Sequence, residues 1–291
     1  MRDKKMTVML KNRFWISAIY ASLYILFMYS PLWAETSMPV RKVISLGPSI
    51  TEEIYLMGAQ DRLVGVTIHC HRPSQAATKE RIGTAIEINI ERIAVLKPDL
   101  VIATSMTSPK NIEKLKAMGI KVVIFHAAKS FSELCDQFLE LAKLMGKEKE
   151  ARKILIESRK EVAAVRESVA ELPKPKVIVQ AGARPLWVAT KDSFINDFIE
   201  LAGGENLGPS GLNGRFSREK VLELNPDVII ITTMGIIGDD EKALWKKYPA
   251  ISAVKNNRIY IIDSDKYCSP TPVTFVQTLK ETVAMLYSRY E

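Results

Sequence analysis

The chain has 291 residues, of which 47% are hydrophobic and 25% are charged, a balance typical of a globular protein with one large or two modest domains. This composition excludes an intrinsically disordered chain and a collagen-like repeat. The formal net charge is +8, from 41 Lys and Arg against 33 Asp and Glu. Part of this excess precedes Ala34 and the rest is scattered, so no nucleic-acid partner is predicted.

Residues 1–34 have the pattern of an export signal. A basic start precedes residues 14–34, which carry no charge and end in Leu32-Trp33-Ala34, a small-residue cleavage site. Cleavage would start the mature chain near Glu35. The alternative is an uncleaved anchor, because this segment approaches the roughly 20 residues that span a membrane. Both interpretations predict a periplasmic body, outside the cytoplasm.

Along the mature chain, short apolar runs rich in β-branched residues alternate with amphipathic segments. This alternation is typical of parallel strands covered by helices, an α/β fold. The predicted strands are Lys42–Leu46, Leu63–Val66, Leu100–Thr104, Val122–Phe125, Val177–Gln180, Val228–Thr232 and Ile259–Ile262. Helices fill the intervals, and short polar residues are predicted as their N-caps. These caps are Ser49, Asn89, Ser130, Ser193 and Ser217.

An internal repeat relates the two halves of the chain. Residues 90–104 align without gaps with residues 218–232, and each copy reads as a helix, a Pro-Asp break and a buried strand. A second echo relates residues 54–59 to residues 199–204, a helix that ends at a glycine. The repeat predicts two similar Rossmann-like lobes. It also pairs Met106 with Met234 just beyond two strand ends.

One long rigid helix is predicted between the lobes, over residues 147–172, with residues 35–146 as the first lobe and residues 173–291 as the second. Its apolar positions recur every three or four residues, and Pro173 ends it. About 24 helical residues span roughly 36 Å, enough to cross the back of two lobes. A coiled-coil dimer is the alternative, although it would place Ser158 in the seam. The chain is therefore predicted to be a monomer with a ligand cleft between its lobes, beyond the carboxyl ends of the strands.

The chain resembles a known family, the class III extracytoplasmic solute-binding proteins of ABC importers, which handle cobalamin, ferric siderophores and haem. The resemblance extends from about Arg41 to Tyr287, and the cobalamin-binding branch is the most similar. The segments that show the resemblance are 41–52 (RKVISLGPSITE), 58–59 (GA), 64–67 (VGVT), 89–104, 202–206 (AGGEN) and 216–219 (FSRE).

The resemblance implies that Glu91 and Glu219 dock on arginines of the membrane-embedded permease, which works with an ATPase. These two residues are also the paired acids of the internal repeat. Two carboxylates, one on each lobe, would provide two contact points that attract a positively charged partner and fix its orientation. The alternative is that each Glu only complements the dipole of its own helix.

The segments that would contact the ligand differ from the pattern of the cobalamin branch. In the cobalamin branch an aromatic-rich loop follows the second strand, where this chain has residues 68–73 (IHCHRP), and Ala85 stands where relatives have a tryptophan. These differences argue against unmodified cobalamin as the ligand. They replace aromatic surface, which could stack on the corrin, with side chains that can bind metal.

Metal-binding side chains are concentrated in the first lobe. His69 and His71 are predicted as axial ligands to the cobalt or iron of a transported chelate, with Arg72 beside them. Hydrogen-bonded loop histidines are the alternative. A bare zinc or manganese ion would need three or four convergent ligands, and His126 and Asp265 are the further candidates.

In the second lobe, Arg184, Trp187, Arg215 and Tyr267 are predicted to contact the ligand. Arginine suits a propionate, carboxylate or catecholate edge, and the aromatic residues supply flat contact surface. Cys70 and Cys268 are open to three interpretations, namely a disulfide, two free thiols or cleft-lining groups, whereas Cys135 reads as a small core residue.

No enzyme is predicted, because the chain has no GxSxG elbow, no Walker phosphate loop and no GxGxxG turn. It is expected to carry no cofactor of its own and to deliver a chelate to an ABC importer. The two alternatives are a protein that binds a bare metal ion and a membrane-tethered sensor that uses the same cleft.

Overall fold

A computed structural model describes residues 40–233 and 238–288 of the chain. The predicted export signal and Met234 lie outside the described residues. In the part that is described, no helix is long and apolar enough to cross a bilayer. The fold is α/β, as predicted, with two sheets and one long helix between them in the chain.

The first lobe is built on a five-stranded, wholly parallel sheet of order β3-β2-β1-β4-β5. Its strands are β1 (Val43–Ser45), β2 (Leu63–Val66), β3 (Glu80–Arg81), β4 (Leu100–Thr104) and β5 (Lys121–Phe125). Helices cover both faces, as an all-parallel sheet requires. They are α1 (Pro48–Leu56), α2 (Ile90–Leu96), α3 (Pro109–Ala117) and α4 (Phe131–Leu144).

The second lobe repeats this plan with a mixed sheet. The strands are β6 (Lys176–Ala183), β7 (Leu186–Val188), β8 (Glu205–Asn206), β9 (Val228–Thr232) and β10 (Ile259–Ile262). Their order is β10-β9-β6-β7, where β7 is antiparallel to β6 and β8 pairs with the beginning of β6. The helices are α6 (Ile195–Leu201), α7 (Arg218–Leu224), α8 (Gly238–Trp245), α9 (Ser252–Lys255), α10 (Ser264–Cys268) and α11 (Pro272–Tyr287).

The connecting helix α5 (Glu148–Val169) has 22 residues, close to the predicted length. Most of its predicted apolar stripe is buried, and Ser158 is buried with it. Two members of the stripe differ, because Ile154 is half-buried and Leu172 is exposed beyond the end of the helix. Helices α4 and α11 of the same chain pack against α5. The coiled-coil alternative is therefore wrong, since this face is already covered within the chain.

The internal repeat has a structural basis at the Pro-Asp break. Helices α2 and α7 both end at a left-handed residue, Lys97 (φ 48°) and Asn225 (φ 46°). The carboxylate of Asp99 then accepts the backbone N–H of Lys42 at 2.9 Å, and that of Asp227 accepts the backbone N–H of Lys176 at 2.9 Å. Each aspartate therefore fastens the end of a helix to the start of the central strand of its lobe.

The two lobes share one aromatic core. Phe275 of α11 stacks on Phe131 of α4 (ring centroids 4.5 Å apart) and on Phe198 of α6 (4.3 Å), and Phe198 stacks on Tyr267 of α10 (4.7 Å). These four rings connect helices of both lobes. A cross-lobe hydrogen bond accompanies them, from the backbone N–H of Phe131 to the carboxylate of Asp197 at 2.6 Å.

Three of the predicted N-caps are confirmed. The side chains of Asn89, Ser130 and Ser217 accept backbone N–H groups in the first turns of α2, α4 and α7. Ser49 is wrong, because Pro48 already occupies the first turn of α1, where its fixed φ is favourable. Ser193 is also wrong, since its hydroxyl donates to the carbonyl of Thr190 and α6 begins at Ile195. The short strands β3, β7 and β8 were not predicted.

Candidate functional site

A cleft of about 400 Å³ lies between the lobes. The first lobe contributes the residues that follow the carboxyl ends of β1, β4 and β5, together with Ala85 and two side chains of α4. The second lobe contributes residues 193–195 and 267–270. This is the position in which open α/β sheets bind ligands, and the volume lies in the range of small-molecule sites.

The lining of the cleft is apolar and uncharged polar. Its aromatic residues are Phe125, Phe194 and Tyr267, of which Phe194 is half-buried and the other two are buried. Hydroxyl groups from both lobes and the amide of Gln137 supply polar atoms. No Lys or Arg lines the cleft within the described residues. Its ionisable lining groups are Glu53, His126, Tyr267 and Cys268.

Glu53 is the acidic residue of this lining. It lies in the second turn of α1 and is only 5% exposed. Burial raises the pKa of its carboxyl well above the ordinary value, and the negative charge of neighbouring Glu52 raises it further. The carboxyl is therefore held in its protonated form more strongly than an exposed glutamate.

His126, Met106 and Ala85 all line the first-lobe side of the cleft. His126 directly follows β5, as expected for a residue beyond a strand end, and its side chain is exposed. Met106 is 61% exposed and offers a soft apolar surface to a ligand. Of the three histidines, His126 is the one that lines the cleft.

His69, His71 and Arg72 lie outside the lining of the cleft, and two of them connect the lobes. The Nε2 atom of His71 is 2.7 Å from a carboxylate oxygen of Asp265, and Arg72 donates to the backbone carbonyl of Ser269 at 2.7 Å. We call these two cross-lobe contacts the clasp. His69 is exposed.

The four candidate ligands of a bare metal ion do not converge. Among the described residues there is no group of three or more His, Cys, Asp or Glu side chains arranged to hold a metal ion. Asp265 is engaged by His71, whereas His126 lies in the cleft. The geometry therefore gives no support to a zinc or manganese site at these residues.

Arg184, Trp187 and Arg215 lie together in the second lobe but outside the lining of the cleft. Arg184 is in the turn between β6 and β7, and Trp187 of β7 forms an antiparallel bridge with Arg215. Trp187 is 39% exposed, and both arginines are exposed. The three form a cation-rich surface on the edge strand, and their contact with a ligand stays a prediction.

Tyr267 belongs to the shared aromatic core. Its ring is fully buried against Phe198, and its hydroxyl lies 3.0 Å from that of Thr282. Burial raises the pKa of the hydroxyl. The residue is nevertheless part of the cleft lining, with its hydroxyl held in the core, and its contact with a ligand stays a prediction.

All three cysteines are free thiols, which excludes the disulfide between Cys70 and Cys268. Cys70 is buried with its sulfur 3.1 Å from the Thr67 hydroxyl, and Cys135 is a core residue as predicted. Cys268 lines the cleft, where desolvation and then the charge of Asp265 raise the pKa of its thiol to about 11.

Glu91 and Glu219 occupy equivalent exposed positions in the first turns of α2 and α7. The pKa of Glu219 is lowered by its own backbone N–H and by the Ser217 hydroxyl. Next to Glu219, Arg218 is held by a buried network that fixes the start of α7. Its guanidinium donates to Glu241 at 2.6 Å and lies 4.4 Å from the ring centre of Trp245.

Sequence reasoning missed Glu53, Phe125 and Phe194 as lining residues. A signal for Glu53 was present, because Ile50, Ile54 and Met57 define the buried stripe of α1, and Glu53 falls on that stripe three residues after Ile50. The clasp had no such signal, since its partners are 194 residues apart in the sequence.

Comparisons with known proteins agree with this architecture. Residues 43–266 match the family model of periplasmic binding proteins. An uncharacterised ABC transporter substrate-binding lipoprotein of Bacillus subtilis is 29% identical over 255 residues, covering 84% of this chain and 80% of the relative. The vitamin B12-binding protein of Vibrio parahaemolyticus is 27% identical over 254 residues, covering 85% and 91%. A solved structure of a possible iron-binding, periplasmic solute-binding protein from Staphylococcus epidermidis has a TM-score of 0.76 at 30% identity, covering 85% of this chain and 99% of that one.

Proposed function

Because the chain belongs to the periplasmic binding protein family, we propose that it captures a metal-organic chelate in the periplasm and delivers it to an ABC importer. The chelate is a corrinoid, haem or a ferric siderophore, so the transported ligand contains cobalt or iron. The names of the relatives, which are B12-binding and iron-binding proteins, support this class of ligand.

The observation that carries the proposal is the cleft itself. It is apolar, lies between two lobes at the carboxyl ends of their strands, and has exposed Met106 and the histidine His126 on one wall. An apolar wall suits the face of a macrocycle, and an imidazole is a common axial ligand to iron or cobalt. His126 is thus added to His69 and His71 as a candidate axial ligand.

Delivery to the importer is assigned to Glu91 and Glu219, one on each lobe. Both are exposed, and each is presented by a capped helix that an aspartate ties to the central strand of its lobe. Because these supports are equivalent in the two lobes, the two carboxylates form a matched pair for a two-fold permease. The chain acts as a monomer and performs no catalysis.

A visible-absorbance titration tests the proposal. The mature chain, from Glu35 onward, is titrated with hemin, a base-free corrinoid, cobalamin and a ferric siderophore in turn. Saturable binding of one chelate is the expected result. Loss of the spectral shift in His126→Ala, but not in His69→Ala or His71→Ala, would place the axial ligand in the cleft.

Absence of binding by all four chelates would contradict the proposal and favour a bare metal ion as ligand. Saturable binding without any stimulation of an importer ATPase would instead favour a tethered sensor that uses the same cleft. The two alternatives are therefore separated by the same preparation of protein.

A further inference from the structure

The Glu53 carboxyl is a polar group in the cleft that the transport proposal does not use. Glu53 lines the cleft and is 5% exposed. No hydrogen bond or ion pair engages its carboxyl within the described part of the chain. The carboxyl oxygens are not wholly enclosed by protein, so the remaining access is from the cleft that Glu53 lines. A mostly buried carboxyl without a protein partner loses most of the hydration that it has in water, which costs free energy unless a bound molecule replaces it.

Burial and the negative charge of Glu52, which precedes it on α1, are the causes that shift the pKa of the Glu53 carboxyl, and no cation is among them. Cys135 on α4 is close enough for the Glu53 carboxyl to contribute, after burial, to the raised pKa of its thiol. Arg159 hydrogen-bonds that thiol and acts in the opposite direction. The remaining titratable groups of the cleft are His126, Tyr267 and Cys268, and no Lys or Arg lines it within the described residues. A protonated, neutral carboxyl is the form that suits this surrounding.

We propose that the protonated Glu53 carboxyl pairs with a neutral carboxamide of the ligand and selects carboxamide-bearing chelates over chelates with free carboxylates. This inference rests on the proposed function. The O–H of the carboxyl donates to the amide carbonyl, and the amide N–H donates to the carboxyl carbonyl. Glu53 is thus a specificity-determining residue of the cleft.

The selection has a simple electrostatic reason. A carboxamide satisfies both polar atoms of Glu53 without adding charge. A ligand carboxylate would bring a negative charge into a mostly apolar cleft that has no Lys or Arg in its described lining, and a buried charge without a partner is strongly disfavoured.

The test compares two forms of one corrinoid, with ring side chains either as carboxamides or hydrolysed to carboxylates. Each is titrated near pH 6 into wild type, Glu53→Gln, Glu53→Leu and a control, Glu140→Gln, at an exposed position of α4. We expect wild type to prefer the carboxamide form by about tenfold or more, the effect of one charge-neutral polar pair. Glu53→Gln retains a donor and an acceptor and should bind nearly as wild type, whereas Glu53→Leu should lose about tenfold.

Equal affinity of wild type and Glu53→Leu, or equal affinity for both corrinoid forms, would overturn the pairing. A wild type that binds haem or a ferric siderophore but neither corrinoid would overturn it and leave the transport proposal intact. A wild type that binds no chelate would overturn both. Independently of ligand, the infrared band of a protonated carboxyl should be present at pH 6 and absent from Glu53→Gln; a carboxylate band in its place would contradict the protonated form.

Discussion

His71 and Asp265 join the two lobes, although 194 residues separate them in the chain, with 2.7 Å between the imidazole Nε2 and the carboxylate. Arg72 strengthens the same contact. Its guanidinium donates to the carbonyl of Ser269 and lies 3.5 Å from Glu52. The loop after β2 is therefore joined directly to α10 of the other lobe, which makes it part of the frame of the cleft.

Removing Arg72 should loosen this clasp. Its side chain is mostly buried, so Arg72→Ala is expected to lower the free energy of unfolding by about 1–3 kcal/mol, the range for hydrogen bonds to charged groups. His71→Ala should cost less than about 1 kcal/mol because the imidazole is largely exposed. Urea unfolding of the apo protein measures both changes.

The control is Arg92→Ala, because Arg92 pairs with Glu80 at 2.9 Å within the first lobe and on its surface. Hydrogen exchange gives the second readout. Arg72→Ala should speed exchange in residues 66–72 and 264–270, on both sides of the cleft. Faster exchange on one side alone would show that the contact does not join the lobes.

The stability of Glu53→Gln relative to wild type should increase as the pH rises. The pKa of Glu53 is raised above its ordinary value of 4.5 in the folded state, so the folded protein holds a proton that the unfolded chain releases. Wild-type stability therefore falls by up to about 1.4 kcal/mol per pH unit as the pH rises from this value through the raised pKa.

Glu53→Gln removes this slope. Its Tm should match that of wild type near pH 4 and exceed it at pH 7. Thermal unfolding of both proteins between pH 4 and pH 8 measures the difference, with Glu140→Gln as the exposed control. A constant difference across this range would show that Glu53 does not titrate differently in the folded state.

The network beneath α7 should be sensitive to loss of its carboxylate. Glu241 is 5% exposed and accepts from Arg218 at 2.6 Å and from Gln180 at 2.8 Å. Glu241→Ala leaves a mostly buried guanidinium without its partner, so it should cost about 3–5 kcal/mol of unfolding free energy. Glu241→Gln keeps an acceptor and should cost less. Equal effects of the two substitutions in urea unfolding would contradict a role for the charge.

The repeat explains why much of the fold was predictable. Strands β4 and β9 were predicted at their observed bounds, because each is a continuous apolar run bounded by a Pro-Asp break. The two Asp residues of that break make equivalent backbone contacts. Local signals of this kind are present in the sequence twice, so one copy supports the interpretation of the other.

The cleft was less predictable because its composition depends on contacts between distant segments. Trp187 and Arg215 have the chemistry of ligand-binding residues, but pairing of β7 with the segment around residue 215 places them on an edge strand outside the cleft lining. Tyr267 was predicted as a ligand contact because of its flat ring; it lines the cleft, and its ring also stacks on Phe198 in the core. Amino-acid type indicated these residues, and only the tertiary arrangement separates ligand contact from packing.

Charge reversal at Glu91 and Glu219 should separate docking from ligand capture. Both lie outside the cleft lining, so the double variant Glu91→Lys, Glu219→Lys is expected to keep wild-type ligand affinity. It should fail to stimulate the importer ATPase, because in the proposed docking the new lysines would face permease arginines of like charge. Reversal of Glu148, in the first turn of α5, is the control. Full stimulation by the double variant would remove these residues from the docking surface.

Ligand binding should change the overall shape of the protein only slightly. A wide opening of the lobes would separate Phe131 from Phe275 and break the cross-lobe bond between Phe131 and Asp197, and stacked aromatic pairs add to the cost of exposing this core. The radius of gyration from small-angle scattering should therefore agree within error with and without ligand. Phe275→Ala should cost about 3–5 kcal/mol and allow a measurable compaction on binding. Ile93→Ala, a core change confined to the first lobe, should destabilise without that compaction. A large compaction of wild type would mean that the shared core does not restrain the lobes.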